Sequence, residues 1–330
     1  MSDAAQSISQ SFFTRRHLPV DIASLFFAVV ALAWIGFAGT FIYDSSPVIE
    51  KVRYFFLFDD EMISMRYAAN LAHGYGLVWN PHGARVEGFT NPLWVGIMTL
   101  FHLMPIPAAR TSLMVELLCI ALGVANLLFV WRLSQTLAPG SKTVALGAVI
   151  LTAGYYPLNH WALRGSEVAL LTPLLTLAVL LAIEMVDGGS PRWLWSVLGI
   201  GTLTRLDIVA PAIVIIAMVA LYDRDRRRDH LVYGFGCLIV FVGAQLLLNR
   251  WYYGSCLPNT YYLKMTGYPL RLRIEHGLYM TRDFLSRIGP LILFLTVEFV
   301  CFKRDAAVLI LAAVLGCIAL MWVEMPGKIG

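Results

Sequence analysis

The stretch LWSVLGIGTLTRLDIVAPAIVIIAMVALY, residues 194–222, is apolar throughout except at Thr204-Arg205-Leu206-Asp207 near its middle. A helix needs about 20 apolar residues to cross the ~30 Å hydrocarbon layer of a membrane, so these 29 residues exceed one crossing. An arginine and an aspartate inside a span are costly unless they face protein or water. The stretch therefore predicts a hairpin of two shorter helices with Arg205 and Asp207 at its tip.

Apolar runs of this kind recur along the whole chain. Hydrophobic residues make up 58% of the 330 residues and charged residues only 14%, whereas soluble domains carry about 25% charged residues. This composition excludes a soluble globule, a disordered chain and a disulfide scaffold, and it predicts an all-α, polytopic membrane helical bundle. The five cysteines are scattered without C-x-x-C spacing, so they indicate neither a disulfide framework nor a zinc site. Besides the hairpin, the expected spans are 20–42, 112–131, 143–158, 167–186, 231–249, 286–302 and 306–323.

Positive charge sets the expected orientation, because Lys and Arg favour the cytoplasmic side of short loops. The run YDRDRRRDH, residues 222–230, contains four arginines and is placed in the cytoplasm. Arg15 and Arg16 put the N-terminal tail, residues 1–19, on the same side. The net charge of +4 comes from such clusters beside apolar segments, so we expect no nucleic-acid partner.

An even number of crossings must separate these two cytoplasmic regions. Segment 92–104 is too short to cross the membrane as a helix, so it is interpreted as an interfacial or re-entrant helix. Residues 20–330 then form one transmembrane domain. This scheme places four regions on the outer side, namely the hairpin tip and loops 43–91, 159–166 and 250–285.

The first outer loop contains most of the polar motifs in FFLFDDEMISMRYAANLAHGYGLVWNPHGARVEGFTNPLW, residues 55–94. Asp59, Asp60 and Glu61 are adjacent carboxylates directly after an apolar run, and like charges so close raise one another's pKa. A carboxylate tuned in this way can act as a general base, but an aspartate before a helix is also an ordinary N-cap. Both interpretations stay open. Apolar residues then recur at helical spacing over 61–72, which predicts an amphipathic helix on the membrane surface.

Three further polar groups fall on the same side of the membrane. They are the segment 159–167, the pair Arg205 and Asp207, and the motif WYYGSCLPNTYYLK at 251–264. Arg205 and Asp207 could bind a ligand or could pair with each other as a structural bridge. Loop 250–285 carries five basic residues where the positive-inside rule expects few, and we interpret them as serving an anion. The histidines of the outer loops lack the H-x-x-x-H or H-E-x-x-H spacing of a metal site.

The motifs of the first outer loop resemble those of bacterial GT-C glycosyltransferases, and among these most closely the mycobacterial terminal arabinofuranosyltransferases and their bacterial relatives. The strongest similarity lies in DDEMISMRY (59–67), GLVWNP (76–81) and RVEGFTNPLW (85–94). Segments 161–170, 203–207 and 252–264 are similar to the family's W-x-x-S-G-M-E-x-A-L, L-T-R-P-E/D and Y-Y-G-x-x-L-P-N-T-x-Y-x-K. The chain departs from these patterns where Arg164-Gly165-Ser166 replaces Ser-Gly-Met and where Leu206 replaces Pro.

The resemblance implies a GT-C-like enzyme that transfers a sugar with inversion from a polyprenyl-phosphate donor to an envelope glycan or lipid acceptor. It also implies that this transfer takes place at the outer, periplasmic face of a bacterial inner (plasma) membrane. The family's general base falls on Asp59, and Asp60 would orient the acceptor or hold a divalent cation, Mg²⁺ or Mn²⁺. Arg205 and Lys264 are expected to bind the leaving phosphate, because positioned cations stabilise the charge that develops there. The other expected donor phosphate- and sugar-binding residues are Arg66, Arg85, Glu87, Glu167, Asp207, Asn259 and Tyr262.

Two other functional classes stay open. A transporter or flippase for lipid-linked sugars would also carry charged residues that face a cavity. Alternating access places such residues near the middle of the membrane, whereas here they cluster on one side. A non-catalytic membrane protein of envelope assembly or motility is the third class.

Overall fold

Helices make up most of the chain in the computed structural model, which describes residues 22–190, 192–283 and 286. The tail 1–19 and the expected spans 286–302 and 306–323 lie outside this part, apart from Ser286. The helices are α1 (Ile22–Ser45), α2 (Asp59–Ala72), α3 (Pro92–His102), α4 (Ala108–Leu137), α5 (Lys142–Ala153), α6 (Tyr156–Leu163), α7 (Val168–Val186), α8 (Trp193–Thr204), α9 (Val209–Tyr222), α10 (Arg227–Tyr253) and α11 (Asn259–Met265), with a 3₁₀ turn at Leu206–Ile208 and further helical conformation over 270–283.

Within the described residues, four helices are long and apolar enough to cross a membrane. They are α1, α4, α7 and α10, with 24, 30, 19 and 27 residues. Four shorter apolar segments accompany them: α3, α5, α8 and the stretch Leu206–Tyr222. These features are those of a membrane protein and agree with the predicted all-α helical bundle.

The expected continuous span 143–158 is wrong in its second half. Helix α5 ends at Ala153, and a new helix, α6, begins at Tyr156 with Pro157 in its first turn. Proline has no N–H to donate to the carbonyl of the preceding turn, so it favours a helix start over a helix interior. The carbonyl of Ala153 instead accepts a hydrogen bond from the Asn159 side-chain amide at 2.7 Å.

The stretch 194–222 is divided in the structure, as its sequence predicts. Helix α8 ends at Thr204, Arg205 is extended, and α9 follows the 3₁₀ turn. Beyond the end of α9, the Arg226 guanidinium donates to the carbonyl of Gly189, just before α8, at 3.0 Å. The start of α8 and the end of α9 therefore lie together, with the Arg205 break at the opposite end of both helices.

The segment 43–91, the expected first outer loop, contains a small hairpin that its sequence did not predict. Strands β1 (Val48–Ile49) and β2 (Val52–Arg53) pair in antiparallel register. Glu50 and Lys51 connect them with positive φ angles of 49° and 64°, the backbone of a tight two-residue hairpin turn. Because Gly, Asn and Asp are the usual residues in such turns, Glu-Lys gave no sequence signal.

Helix α2 covers the predicted helical stretch, but its apolar side contacts protein. Tyr67 and Ala68 are buried in one cluster with Trp94 and Met98 of α3. The Trp94 indole donates a hydrogen bond to the carbonyl of Gly165 at 2.9 Å. The expectation that this side of α2 lies on the membrane surface is therefore wrong at Tyr67 and Ala68, because α3 folds back beneath α2 and covers them.

Backbone hydrogen bonds bring the separate polar segments to one end of the bundle. The Phe55 N–H donates to the Ala109 carbonyl at the start of α4, and the Phe58 N–H donates to the Arg164 carbonyl after α6. The Asn259 N–H after α10 donates to the Glu87 carbonyl in the first outer loop. We refer to this end, where α2, α6, the Arg205 break and the segment after α10 meet, as the polar end.

Candidate functional site

A buried polar cluster lies at the polar end and is assembled from four separate elements. It consists of Glu61, Asn91, Glu167 and Arg205. Glu61 lies in the first turn of α2, Asn91 precedes α3, Glu167 precedes α7, and Arg205 separates α8 from the 3₁₀ turn. Glu61, Asn91 and Glu167 are only 4–5% exposed, so their polar atoms depend on one another for partners.

Arg205 is held by two carboxylates. Its Nη1 is 2.8 Å from Glu167 Oε1, and its Nη2 is 2.8 Å from Asp207 Oδ2. The Arg205 Nε also donates to Asp207 Oδ2 at 3.0 Å. Of the two interpretations of this pair, the structure shows the structural bridge, extended to Glu167. A phosphate at Arg205, as expected from the sequence, would have to compete with both carboxylates.

Glu61 and Glu167 share a hydrogen bond between their carboxyl groups. Burial, and then the negative charge of Glu167, raise the pKa of Glu61 well above its ordinary value. Burial alone would also raise the pKa of Glu167, but the hydrogen bond with Glu61 and the charge of Arg205 outweigh it and hold that pKa below its ordinary value. The two pKa shifts have opposite directions, so the protonated form is favoured at Glu61 and the charged form at Glu167, beside Arg205.

Asn91 connects the two carboxyl groups. Its Nδ2 donates to Glu167 Oε2 at 3.1 Å and to Glu61 Oε2 at 3.4 Å. Its Oδ1 accepts a hydrogen bond from the Ser64 hydroxyl at 2.9 Å. Asn91 was not among the expected site residues, although it lies in the motif RVEGFTNPLW and in the Asn-Pro step that opens α3.

Asp59 and Asp60 lie beside this cluster but outside it. Both are exposed in the first turn of α2, and neither has an ion-pair partner in the described part of the chain. The N-cap of α2 is Phe58, which makes no side-chain capping hydrogen bond, so the capping role considered for an aspartate is wrong. The Phe58 N–H donates a hydrogen bond to the Arg164 carbonyl, and the Phe58 ring packs edge-on against Trp161 with 4.8 Å between the ring centroids. These two contacts hold the start of α2 in place.

The loop between α2 and α3 is attached to the end of α10. The Leu77 N–H donates to the Tyr252 hydroxyl at 3.0 Å, and the Tyr253 hydroxyl donates to the Leu77 carbonyl at 3.1 Å. Arg85 stacks on the Tyr252 ring, with 4.6 Å between its Cζ and the ring centroid. These contacts join the first outer loop to the segment that follows α10.

Glu87 is the buried acid of this attachment. It is 4% exposed, and its Oε2 has no hydrogen-bond partner within the described chain. Burial raises its pKa from 4.5 to about 7, although a hydrogen bond from Asn249 acts in the opposite direction. The Glu87 carboxyl therefore changes its charge near neutral pH.

The remaining expected site residues have separate surroundings. Arg66 is exposed and its Nε donates to the Trp79 carbonyl at 3.1 Å, while the Tyr262 hydroxyl contacts the Ser255 hydroxyl at 3.0 Å. The Lys264 side chain lies outside the part that the structure describes. Among the described residues, no group of three or more His, Cys, Asp or Glu side chains is arranged to hold a metal ion, so a cation at Asp60 stays a prediction.

A pH dependence of stability follows from Glu87. In the folded protein the Glu87 carboxyl keeps its proton up to about pH 7, whereas in the unfolded chain it releases the proton near pH 4.5. The free energy of unfolding therefore falls as the pH rises between these two values. Since one pKa unit corresponds to about 1.4 kcal/mol, the loss is on the order of 3 kcal/mol for a pKa of about 7 against 4.5.

We expect Glu87→Gln to remove this part of the pH dependence, because glutamine stays neutral in the same volume. The measurement is the midpoint of thermal unfolding in detergent from pH 4 to pH 8 for the parent and the variant. Glu50→Gln, a change at an exposed glutamate, serves as the control and should follow the parent. Parallel curves for Glu87→Gln and the parent would contradict the assignment.

Comparison of the chain with protein-family models, with curated proteins and with solved structures gave no match.

Proposed function

We propose that this chain is an integral membrane glycosyltransferase. It transfers a sugar from a polyprenyl-phosphate donor to a hydroxyl group of an envelope glycan or lipid acceptor at the outer face of a bacterial inner membrane. The observation that carries this proposal is the position of Asp59 and Asp60. Two exposed carboxylates stand at the polar end of a bundle of apolar helices, on a helix whose first turn is fixed by a buried ionic cluster.

Asp59 is the proposed general base, as the motif resemblance implies. Its carboxylate takes the proton of the acceptor hydroxyl while that oxygen forms a bond to the anomeric carbon of the sugar. The bond between the anomeric carbon and the phosphate oxygen breaks on the opposite face. Polyprenyl phosphate leaves with the electron pair, and the configuration at the anomeric carbon is inverted.

The buried cluster gives this base a fixed position. Glu61, two residues after Asp59, is bound to Glu167 and Asn91, and Glu167 is bound to Arg205. A general base has to lie within hydrogen-bond distance of the proton that it removes, so displacement of the first turn of α2 would weaken the reaction. Glu61, Glu167 and Arg205 therefore support Asp59 as positioning residues.

The lipid part of the donor suits the location of the site. A polyprenyl chain is apolar and stays within the hydrocarbon layer, while its phosphate stands at the surface. Helices α1, α4 and α10 expose apolar side chains, and the polar end begins where these helices and α7 begin or end. A carboxylate at that level can reach a sugar carried on a lipid phosphate.

The direct test is transfer of a labelled sugar in liposomes that contain the purified protein. Polyprenyl-phosphate donors carrying arabinofuranose, mannose, glucose or galactose are supplied one at a time together with envelope glycan acceptors. We expect label to appear in the acceptor with one of these donors, only when the protein is present. Movement of the intact donor across the bilayer without transfer would favour the flippase class. Absence of both transfer and donor movement would favour a non-catalytic protein.

A further inference from the structure

We propose that Arg164 is the phosphate-binding cation at the polar end, and that Arg205 is a structural residue. This inference rests on the proposed function, because it assigns a ligand contact within the same site. The ligand group is a phosphate ester, as in a polyprenyl phosphate or its sugar-bearing form.

The first argument is the unpaired guanidinium of Arg164. Its Nε is buried, and within the part of the chain that the structure describes it has no hydrogen-bond partner and its side chain makes no ion pair. A buried polar group without a partner costs about 1–3 kcal/mol, and more if it is charged. A bound anion would remove this cost, because a guanidinium presents several N–H groups in a plane that matches two phosphate oxygens.

The second argument is the place of Arg164 in the fold. Arg164 follows the last residue of α6, and its carbonyl accepts the hydrogen bond of the Phe58 N–H at 3.0 Å. Phe58 is the residue directly before Asp59. Gly165, the next residue, packs against Leu57 so closely that a side chain there would collide with it at 2.5 Å. Arg164 thus belongs to the contact that holds the start of α2, beside the proposed base.

The third argument is that four other arginines at this end already have partners. Arg205 is bound to Glu167 and Asp207, and Arg85 stacks on Tyr252. Two further arginines at this end donate to protein carbonyls, namely Arg66 to Trp79 and Arg53 to Tyr43 and Ser46. Arg164 differs from these four because its buried Nε–H has no hydrogen-bond partner among the described residues, so an anion there would not compete with a described protein partner.

The test measures binding without requiring transfer. The purified full chain is placed in phosphatidylcholine nanodiscs, and binding of radiolabelled undecaprenyl phosphate is compared with binding of inorganic phosphate. The two probes distinguish a lipid phosphate from a free one. We expect the lipid probe to bind the parent more tightly, whereas equal or tighter binding of inorganic phosphate through Arg164 would assign the site to a free anion and overturn the lipid assignment.

The variants are Arg164→Gln, Arg164→Lys and Arg205→Lys, with Arg110→Gln at an exposed arginine at the start of α4 as the matched control. Because a hydrogen bond to a charged group contributes about 1.5–3 kcal/mol, Arg164→Gln should weaken binding by roughly 10- to 150-fold. Arg164→Lys keeps the charge but loses the planar donor pair, so its affinity for the lipid phosphate should lie between those of Arg164→Gln and the parent. Arg110→Gln should bind within about twofold of the parent.

A thermal unfolding midpoint separates ligand binding from a structural role. Removing an unpaired buried group should leave the ligand-free midpoint of Arg164→Gln unchanged or raised, while addition of undecaprenyl phosphate should raise the parent's midpoint and not the variant's. If Arg164→Gln does not fold, Arg164→Lys carries the same comparison. Undiminished binding by Arg164→Gln, or greater loss from Arg205→Lys than from Arg164→Gln, would overturn the assignment.

The proposed function and this inference can fail separately. Phosphate binding that depends on Arg164, without sugar transfer from any donor, would contradict the enzyme proposal and support the phosphate site. Sugar transfer by an Arg164→Gln protein with the parent's affinity for undecaprenyl phosphate and the parent's donor KM would contradict the phosphate site and support the enzyme proposal.

Discussion

Replacing Asp59 by asparagine is expected to lower the rate of sugar transfer by about 10²–10⁴-fold. Asparagine keeps the shape and the hydrogen-bonding capacity of the side chain but cannot take a proton from the acceptor hydroxyl. Asp59 is exposed in the first turn of α2 and has no ion-pair partner among the described residues, and exposed substitutions of this kind change folding stability by only about 0.5 kcal/mol. The loss should therefore appear in kcat, with donor affinity and the unfolding midpoint close to those of the parent.

Asp60→Asn is the matched control, since Asp60 is the neighbouring exposed carboxylate on the same turn. We expect it to cost less than Asp59→Asn, or to act through the acceptor or a divalent cation. Both variants and the parent are measured in the same liposomes, with initial rates over a range of donor concentrations. Near-parental transfer by Asp59→Asn, where the parent is active, would exclude Asp59 as the base.

Replacing Arg205 by methionine is expected to destabilise the folded protein by about 3–5 kcal/mol, as the removal of one partner from a buried ion pair typically does. The change leaves the Glu167 carboxylate, whose side chain is 5% exposed, without its cation. Because the Arg205 side chain is itself 26% exposed, water can partly replace it, which favours the lower part of that range. The measurement is the midpoint of thermal unfolding in detergent.

Three companion variants test the pattern of charges within the cluster. Glu61→Gln should be tolerated, because the protonated form of Glu61 is favoured and glutamine keeps a hydrogen-bond donor. Asp207→Asn should cost less than Arg205→Met, because the Asp207 side chain is 26% exposed. Glu167→Gln, added to Arg205→Met, should restore part of the lost stability, because it removes the buried carboxylate charge that no longer has a cation partner. An Arg205→Met protein as stable as Asp207→Asn would contradict this account of the cluster.

The helical architecture could be predicted because it depends on local composition. Spans α1, α4, α7 and α10 follow from long apolar runs, and the break at Arg205 follows from charge inside such a run. The division of 143–158 could have been predicted from Pro157, whose missing N–H favours a new helix start.

The buried cluster could not be predicted, because its contacts join residues far apart in sequence. Asn91 reaches Glu61 over 30 residues and Glu167 over 76, and Arg205 reaches Glu167 over 38. Local patterns indicate where a helix begins, but they do not indicate which helix starts converge. Glu61 was accordingly interpreted as one of three surface acids, although the turn of α2 directs it inward while Asp59 and Asp60 remain exposed.

The attachment of Leu77 to Tyr252 and Tyr253 has a consequence for biosynthesis. These hydrogen bonds span 175 and 176 residues, and a ribosome adds about 5–20 residues per second. The loop that carries Asp59 therefore emerges roughly 9 to 35 s before its partners on α10 are made. During that interval the nascent loop lacks its tyrosine contacts, and chaperones or proteases meet an unattached segment. Substitutions at Tyr252 or Tyr253 would prolong this exposure and lower the yield of mature protein even where the finished site is intact.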